Sequence, residues 1–246
     1  VRVNHPAVLD DILPRLPPGW RESQTGFADE LFSVYCGGDS AHPRVRRYDI
    51  LYQGAERLVR TLDRGELLAG LEGALKLCVA ERARGYVFLH AGVVGWQGGA
   101  ILIPGRSRSG KSRLVDALLR RGATYYSDEY AVLDGRARVH PYLAPLSLRR
   151  ETGEARRLPP QALGAGARPP LSVRLVVLTR YRAGATWKPR RISPGRAVLG
   201  LLDHAIPARR RPRDVLALLS RIASLTPVLR SLRGEADAVA ARLLAG

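Results

Sequence analysis

The chain has 246 residues, 46% of them hydrophobic, which suits one large domain or a core with an attached lobe and excludes wholesale disorder. Its two cysteines, Cys36 and Cys78, form no C-x-x-C pair, and no apolar run reaches the roughly 18 residues of a membrane span. The net charge is +18, but only Lys76, Lys111 and Lys188 are lysines, so this is an arginine excess beside abundant Ala, Gly and Pro, as in a GC-rich coding sequence.

Taken in chain order, residues 1–22 are Pro-rich and predict irregular structure, without the basic-then-apolar layout of a secretory signal. A cytoplasmic setting is expected. Residues 23–62 predict short strands, with a hairpin from Tyr48–Tyr52 through Gln53-Gly54 to Glu56–Arg60. Residues 64–83 predict a helix whose apolar face is Leu67, Leu68, Leu71, Leu75 and Val79. A boundary near residue 85 divides a small α+β lobe, 1–85, from a core, 86–246. Tyr86–Val94 predicts a strand, the turn Trp96–Gly99 reverses it, and Ala100–Ile103 predicts another. Residues 111–121 predict a helix stopped by Gly122. Thr124–Leu133 and Ala137–Tyr142 predict a hairpin around Asp134-Gly135. Residues 151–170 predict a loop. Strands are expected over Val173–Tyr181, Ala185–Ile192 and Pro227–Leu232, and helices over Pro194–Leu202, Arg213–Ser224 and about 235–244.

The chemistry concentrates at Gly105-Arg106-Ser107-Arg108-Ser109-Gly110-Lys111-Ser112, a G-x-x-x-x-G-K-S stretch. A loop that cradles phosphate needs glycines where side chains would block close approach, and a helix N-terminus behind it. Here an apolar strand precedes Gly105 and a periodic helix starts at Lys111. Lys111 is expected on the β- and γ-phosphates of ATP and Ser112 on Mg²⁺. One helix and one short strand later comes Asp128-Glu129, behind the aromatic run Tyr125-Tyr126. Two carboxylates there suit two jobs, one on Mg²⁺ and one accepting the proton of an attacking hydroxyl. His90 ends the apolar run Tyr86–Leu89 and is a candidate to polarise a phosphoryl oxygen or orient the base. Among the remaining basic residues, Arg149 is the candidate phosphate clamp.

The stretch LHAGVVGWQGGAILIPGRSRSGKSRLVDALLRRGATYYSDEYAVLD resembles the catalytic core of the HPr kinase/phosphorylase family, and more closely its diverged relatives associated with peptide modification, including lasso-peptide kinases. The resemblance spans residues 86–148. It implies an α/β fold with a mixed sheet, of the HPr kinase and phosphoenolpyruvate carboxykinase type. It implies transfer of the γ-phosphoryl group of ATP to a Ser or Thr hydroxyl of a peptide or protein, with Asp128 as general base and Glu129 as a Mg²⁺ ligand. It also implies a place for His90 in the active site, and homo-oligomers are common in the family. Arg113 stands where HPr kinases carry an acidic residue, and their C-terminal signature is not recognisable, so HPr itself and the reverse phosphorylase reaction are not expected. A small-molecule kinase shares the same machinery. A nucleic-acid-binding module rests on the arginines alone, and the basic run Ala208–Arg213 lacks the interleaved aromatics of single-strand binders.

Overall fold

The computed structural model describes residues 1–38, 47–106, 109–149, 155–166 and 168–245; the side chains of Arg149 and Ala155 lie outside that description. The chain forms two compact units, Val1–Val79 and Ala80–Gly246.

The first unit contains β1 (Arg2–Val3), α1 (Val8–Ile12), β2 (Phe32–Tyr35), β3 (Asp49–Gln53), β4 (Glu56–Thr61) and most of α2 (Arg64–Arg82). Its sheet runs β1-β2-β3-β4, with β1 parallel to β2 and the other pairs antiparallel. Alternation along β2 and β3 sends Phe32, Val34 and Leu51 to one face, where Val8, Ile12, Leu67, Leu68 and Leu71 cover them. Asp63 starts α2 by accepting the Gly65 N–H at 2.7 Å, the usual work of an N-cap carboxylate. Two expectations fail here. Val79 is exposed, and the partly buried Ala74 and Cys78 pack on the core instead. Residues 1–22 are not wholly irregular, since β1 and α1 form within them.

The second unit contains β5 (Tyr86–Trp96), β6 (Gly99–Pro104), α3 (Lys111–Leu119), β7 (Thr124–Ser127), β8 (Tyr130–Asp134), β9 (Arg138–His140), β10 (Leu146–Arg149) and β11 (Ala155–Leu158). It continues with β12 (Leu171–Tyr181), β13 (Arg190–Arg191), α4 (Pro194–Leu202), α5 (Pro212–Leu225), β14 (Val228–Arg233) and α6 (Ala236–Ala245). The main sheet runs β13-β14-β12-β6-β5-β8-β9, with β7 also on β5 and the start of β12 also on β9. It is a mixed sheet in an α/β unit. β14, β12 and β6 are mutually parallel, and β5 is antiparallel to β6, β7 and β8. β6, β7, β12 and β14 therefore share one direction, and their carboxyl ends come to one end of the sheet. One face packs under α4 and α5 through Leu102, Val176, Leu178, Leu201 and Leu219. The other packs under α3 and α6 through Ile101, Ile103, Leu114, Leu118 and Val239. With helices on both faces, every residue of β6 is buried, which is why it reads as a continuous apolar run.

Three further expectations are corrected. The segment Thr124–Leu133 is two strands, because Ser127 Oγ accepts the N–H groups of Glu129 and Tyr130, each at 3.1 Å, and turns the chain at the acidic pair. Within 151–170, the described residues include β11, paired antiparallel with β10. The strand expected over Ala185–Ile192 shrinks to Arg190–Arg191 on the edge of β14. Among the described residues no helix is long and apolar enough to cross a membrane.

Candidate active site

His90, Lys111, Ser112, Asp128 and Glu129, among the residues singled out by sequence, meet at the shared carboxyl end. The β6–α3 loop leaves the sheet at Pro104. Gly105 donates its N–H to the His90 carbonyl at 3.1 Å, which ties the loop's first residue to the neighbouring antiparallel strand. A Cβ on Gly105 would stand 2.5 Å from Ser109 Oγ and 3.3 Å from Ser109 Cβ, so a larger residue there would press on the far side of the loop. Gly110 adopts a left-handed conformation, φ +84°, and precedes the first residue of α3. Having no side chain, it leaves the helix without a side-chain cap, so the first amides of α3 lack the partner that Ser or Asp would give. Ser107 and Arg108 lie outside the described residues, and Arg106 is exposed.

β7 runs back beside β5 and ends at Ser127, which delivers Asp128 to the first turn of α3. The Ser112 hydroxyl donates to Asp128 Oδ2 at 2.6 Å, and the buried Oδ1 has no hydrogen-bond partner among the described residues. Burial pushes the Asp128 carboxyl up to about 6, against the pull of the Lys111 ammonium and the Ser112 hydroxyl and with the push of Glu129. Lys111 is lowered by its own burial and held up by Asp128 and Glu129. Burial and then Lys111 lower His90, opposed by the carboxylate and backbone of Glu129. Among the described residues His90 Nδ1 is buried without a partner, its ring stands 5.0 Å from the Tyr130 ring, and Ala91 donates to the Glu129 carbonyl. Thus His90, Lys111, Ser112, Asp128 and Glu129 form one cluster. Arg149 ends β10, whose Leu146 and Leu148 join the core layer of α3, but its side chain lies outside the described residues.

Sequence reasoning missed two residues that the fold adds. His204 follows α4, and its carbonyl accepts the His90 N–H at 2.8 Å. Its own Nδ1 is buried and unpartnered among the described residues, and burial lowers its basicity, with Asp203 opposing and Arg106, His90 and Lys111 reinforcing. Arg233, at the end of β14, is 1% exposed and donates to the Gly110 carbonyl. Both arrive from distant chain segments through the parallel topology. No local pattern in LLDHAIP or VLRSLR marks them.

Among the described residues no group of three or more His, Cys, Asp or Glu is arranged to hold a metal ion by itself. The donors that fit a magnesium ion are the Ser112 hydroxyl, Asp128 with its unpartnered buried oxygen, and Glu129. Such a set suits Mg²⁺, which takes one or two carboxylates and completes its shell with water and phosphate oxygens.

No family model matches the chain, and no curated protein matches it. Among solved structures, the Hpr(Ser) kinase/phosphatase from Coxiella burnetii is similar over 64% of this chain and 93% of that one, at 17% identity and a TM-score of 0.35. A likeness this distant leaves the function to be argued from the site.

Proposed function

We propose that the protein is an ATP-dependent kinase that transfers the γ-phosphoryl group to a Ser or Thr hydroxyl of a peptide or protein. The observation that carries this reading is the Ser112–Asp128 pair beside Lys111. It sets a hydroxyl, a basic carboxylate and an ammonium against one uncapped helix N-terminus. In this reading the amides of Gly105–Ser112 and the Lys111 ammonium hold the β- and γ-phosphates. Bound Mg²⁺ supplies charge neutralisation on the phosphate oxygens. Ser112 and Glu129 would hold the metal in this reading, Asp128 Oδ2 accepts from Ser112, and Asp128 Oδ1 is the atom that takes the proton. The acceptor oxygen bonds to the γ-phosphorus, its proton passes to Asp128, and the bond from the γ-phosphorus to the bridging oxygen breaks to release ADP. A carboxyl near 6 is a stronger base than an exposed aspartate and is still ionised at neutral pH. In this reading His90, whose basicity is lowered by burial and by Lys111, polarises a phosphoryl oxygen. ATP as substrate, and free thiols at Cys36 and Cys78, fit a cytoplasmic setting.

Incubation with γ-labelled ATP, Mg²⁺ and serine-containing peptides tests the reading. Label is expected on serine with the wild type and not with Asp128→Asn, while ATP binding survives. Equal transfer by both proteins would remove Asp128 as the base. ATP binding without transfer to any hydroxyl would remove the kinase reading.

A further inference from the structure

A cleft of about 790 Å³ opens beside the loop, at the carboxyl ends of β6, β12 and β14 on the side of α4. Three guanidiniums line it, those of Arg106, Arg180 and Arg230, and among the described lining residues Asp203 is the one acid. None of the three has an ion pair or a side-chain hydrogen bond among the described residues. The arrangement is built into the packing. β12 and β14 are in register so that Leu178 lies opposite Arg230. A Cβ on Gly200 of α4 would stand 2.7 Å from Leu178 and 3.6 Å from Arg230 Nη2, so the glycine lets the helix close over that pair.

The cleft is continuous with the reacting end of the site. His204 lines it, and His204 accepts the backbone N–H of His90. The phosphates of a nucleotide have their own cations and dipoles at Lys111 and the start of α3. Gly105, Arg106 and Ser109 of the loop also line the cleft, and Arg180 and Arg230, carried on β12 and β14, offer cations in addition to Lys111. Guanidinium forks match carboxylates in geometry as well as charge. The half-exposed Tyr181 and Leu232 also line the cleft and offer apolar contact to neighbouring side chains. The Tyr181 ring already faces the Arg233 guanidinium at 5.5 Å, which favours a peptide over the stacking platform of a nucleic-acid site.

We infer that this cleft binds a peptide segment carrying Asp or Glu side chains, and, resting on the kinase reading, that this segment flanks the accepting hydroxyl. Arg180 and Arg230 are then specificity-determining residues of the acceptor site.

The test uses the full chain and short peptides with blocked ends, each with a central serine flanked by Glu, by Gln or by Lys. Binding is followed by fluorescence anisotropy at near-physiological salt, for the wild type, for Arg180→Gln/Arg230→Gln and for the control Arg209→Gln/Arg213→Gln. The Glu peptide is expected to bind the wild type at least about ten-fold more tightly than the Gln peptide, with the cleft variant erasing the difference and the control keeping it. Three results would each overturn the inference: equal binding of the Glu and Gln peptides, an equal loss in the control variant, or a loss of ATP affinity in the cleft variant. The last would give the arginines to the nucleotide. Phosphotransfer to the same peptides is scored separately. Glu-selective binding without transfer defeats the kinase reading and keeps the cleft, whereas transfer without Glu preference keeps the kinase and defeats the cleft.

Discussion

Arg233 Nη2 donates to the carbonyl oxygen of Gly110 at 2.6 Å, so the last residue of β14 holds the residue just before α3. A second bond, Nη1 to the Gly234 carbonyl at 2.9 Å, fixes the guanidinium. In a trans peptide the C=O of Gly110 and the N–H of Lys111 point in opposite directions. Anchoring one aims the other, so Arg233 orients the first amide of α3.

Arg233→Met keeps most of the side-chain volume and removes both hydrogen bonds. The Gly110 carbonyl is partly buried and also accepts the Leu114 N–H at 3.3 Å, so losing the charged donor costs about 1–2 kcal/mol. Chemical denaturation is expected to show a loss of that order, and nucleotide titration a fall in affinity of about ten-fold. Arg233→Lys can restore the bond to Gly110 but not the fork, and is expected to recover part of the affinity. If affinity is unchanged in the Met variant, the loop holds its shape without β14.

Asp128→Asn should separate stability from activity. The folded carboxyl titrates near 6 and the unfolded one near 3.8, chiefly because burial disfavours the charge. A raised carboxyl pKa gives stability that is fully present below the unfolded value and lost as pH rises through the folded one. The wild type is therefore strained above about pH 6, by up to about 3 kcal/mol for a shift of roughly two units. The Asn variant carries no charge and keeps an oxygen for Ser112. Its stability relative to wild type is expected to rise between pH 4 and 7 and then level off, in denaturation curves collected across that range. A difference that does not change with pH would place the ionised Asp128 in a better-solvated site.

Much of this site was legible because its parts are local. The loop, the strand before it, the helix after it and the acidic pair lie within one stretch of chain, and their spacing dictates the return of β7 to α3. The hairpin at Tyr48–Arg60 and helix α4 were equally legible from turn chemistry and periodicity. What escaped was set by long-range packing. Arg233 reaches Gly110 across 123 residues, and His204 meets His90 only because α4 crosses that end of the sheet. Val79 fits a helical period but faces away from the core, a choice that the partner sheet makes and the helix does not. The break at Asp128 was hidden because Ser127 acts through a side-chain turn inside a stretch with the composition of a continuous strand.

Gly92→Ala tests how α3 is seated. A Cβ there would stand 2.5 Å from Val115 Cγ2 and 3.1 Å from Lys111 Cγ, in the middle of β5. Overpacking of this kind costs about 1–3 kcal/mol, and relief requires α3 to lift with Lys111 on it. Both stability and phosphotransfer are expected to fall. Gly73→Ala in α2 is the comparison of opposite sign, since nothing lies within 4 Å of its Cβ position. It is expected to stabilise by about 0.5–1 kcal/mol through helix propensity, with transfer unchanged. Equal transfer by Gly92→Ala and wild type would show that the strand, not the helix, yields.

The pH dependence of transfer distinguishes the two titrating groups proposed to act. Asp128 must be ionised to take the acceptor's proton, so kcat/KM is expected to rise with pH through about 6. Burial and Lys111 lower the basicity of His90, so it is expected to contribute no descending limb near neutrality. His90→Gln retains an N–H donor but cannot titrate. It is expected to lower kcat by about 10²-fold or less while the ascending limb stays in place. In Asp128→Asn, residual transfer should lose that limb. A wild-type profile that falls through pH 6–7, with the fall abolished in His90→Gln, would instead make protonated His90 the acting form, a cationic clamp.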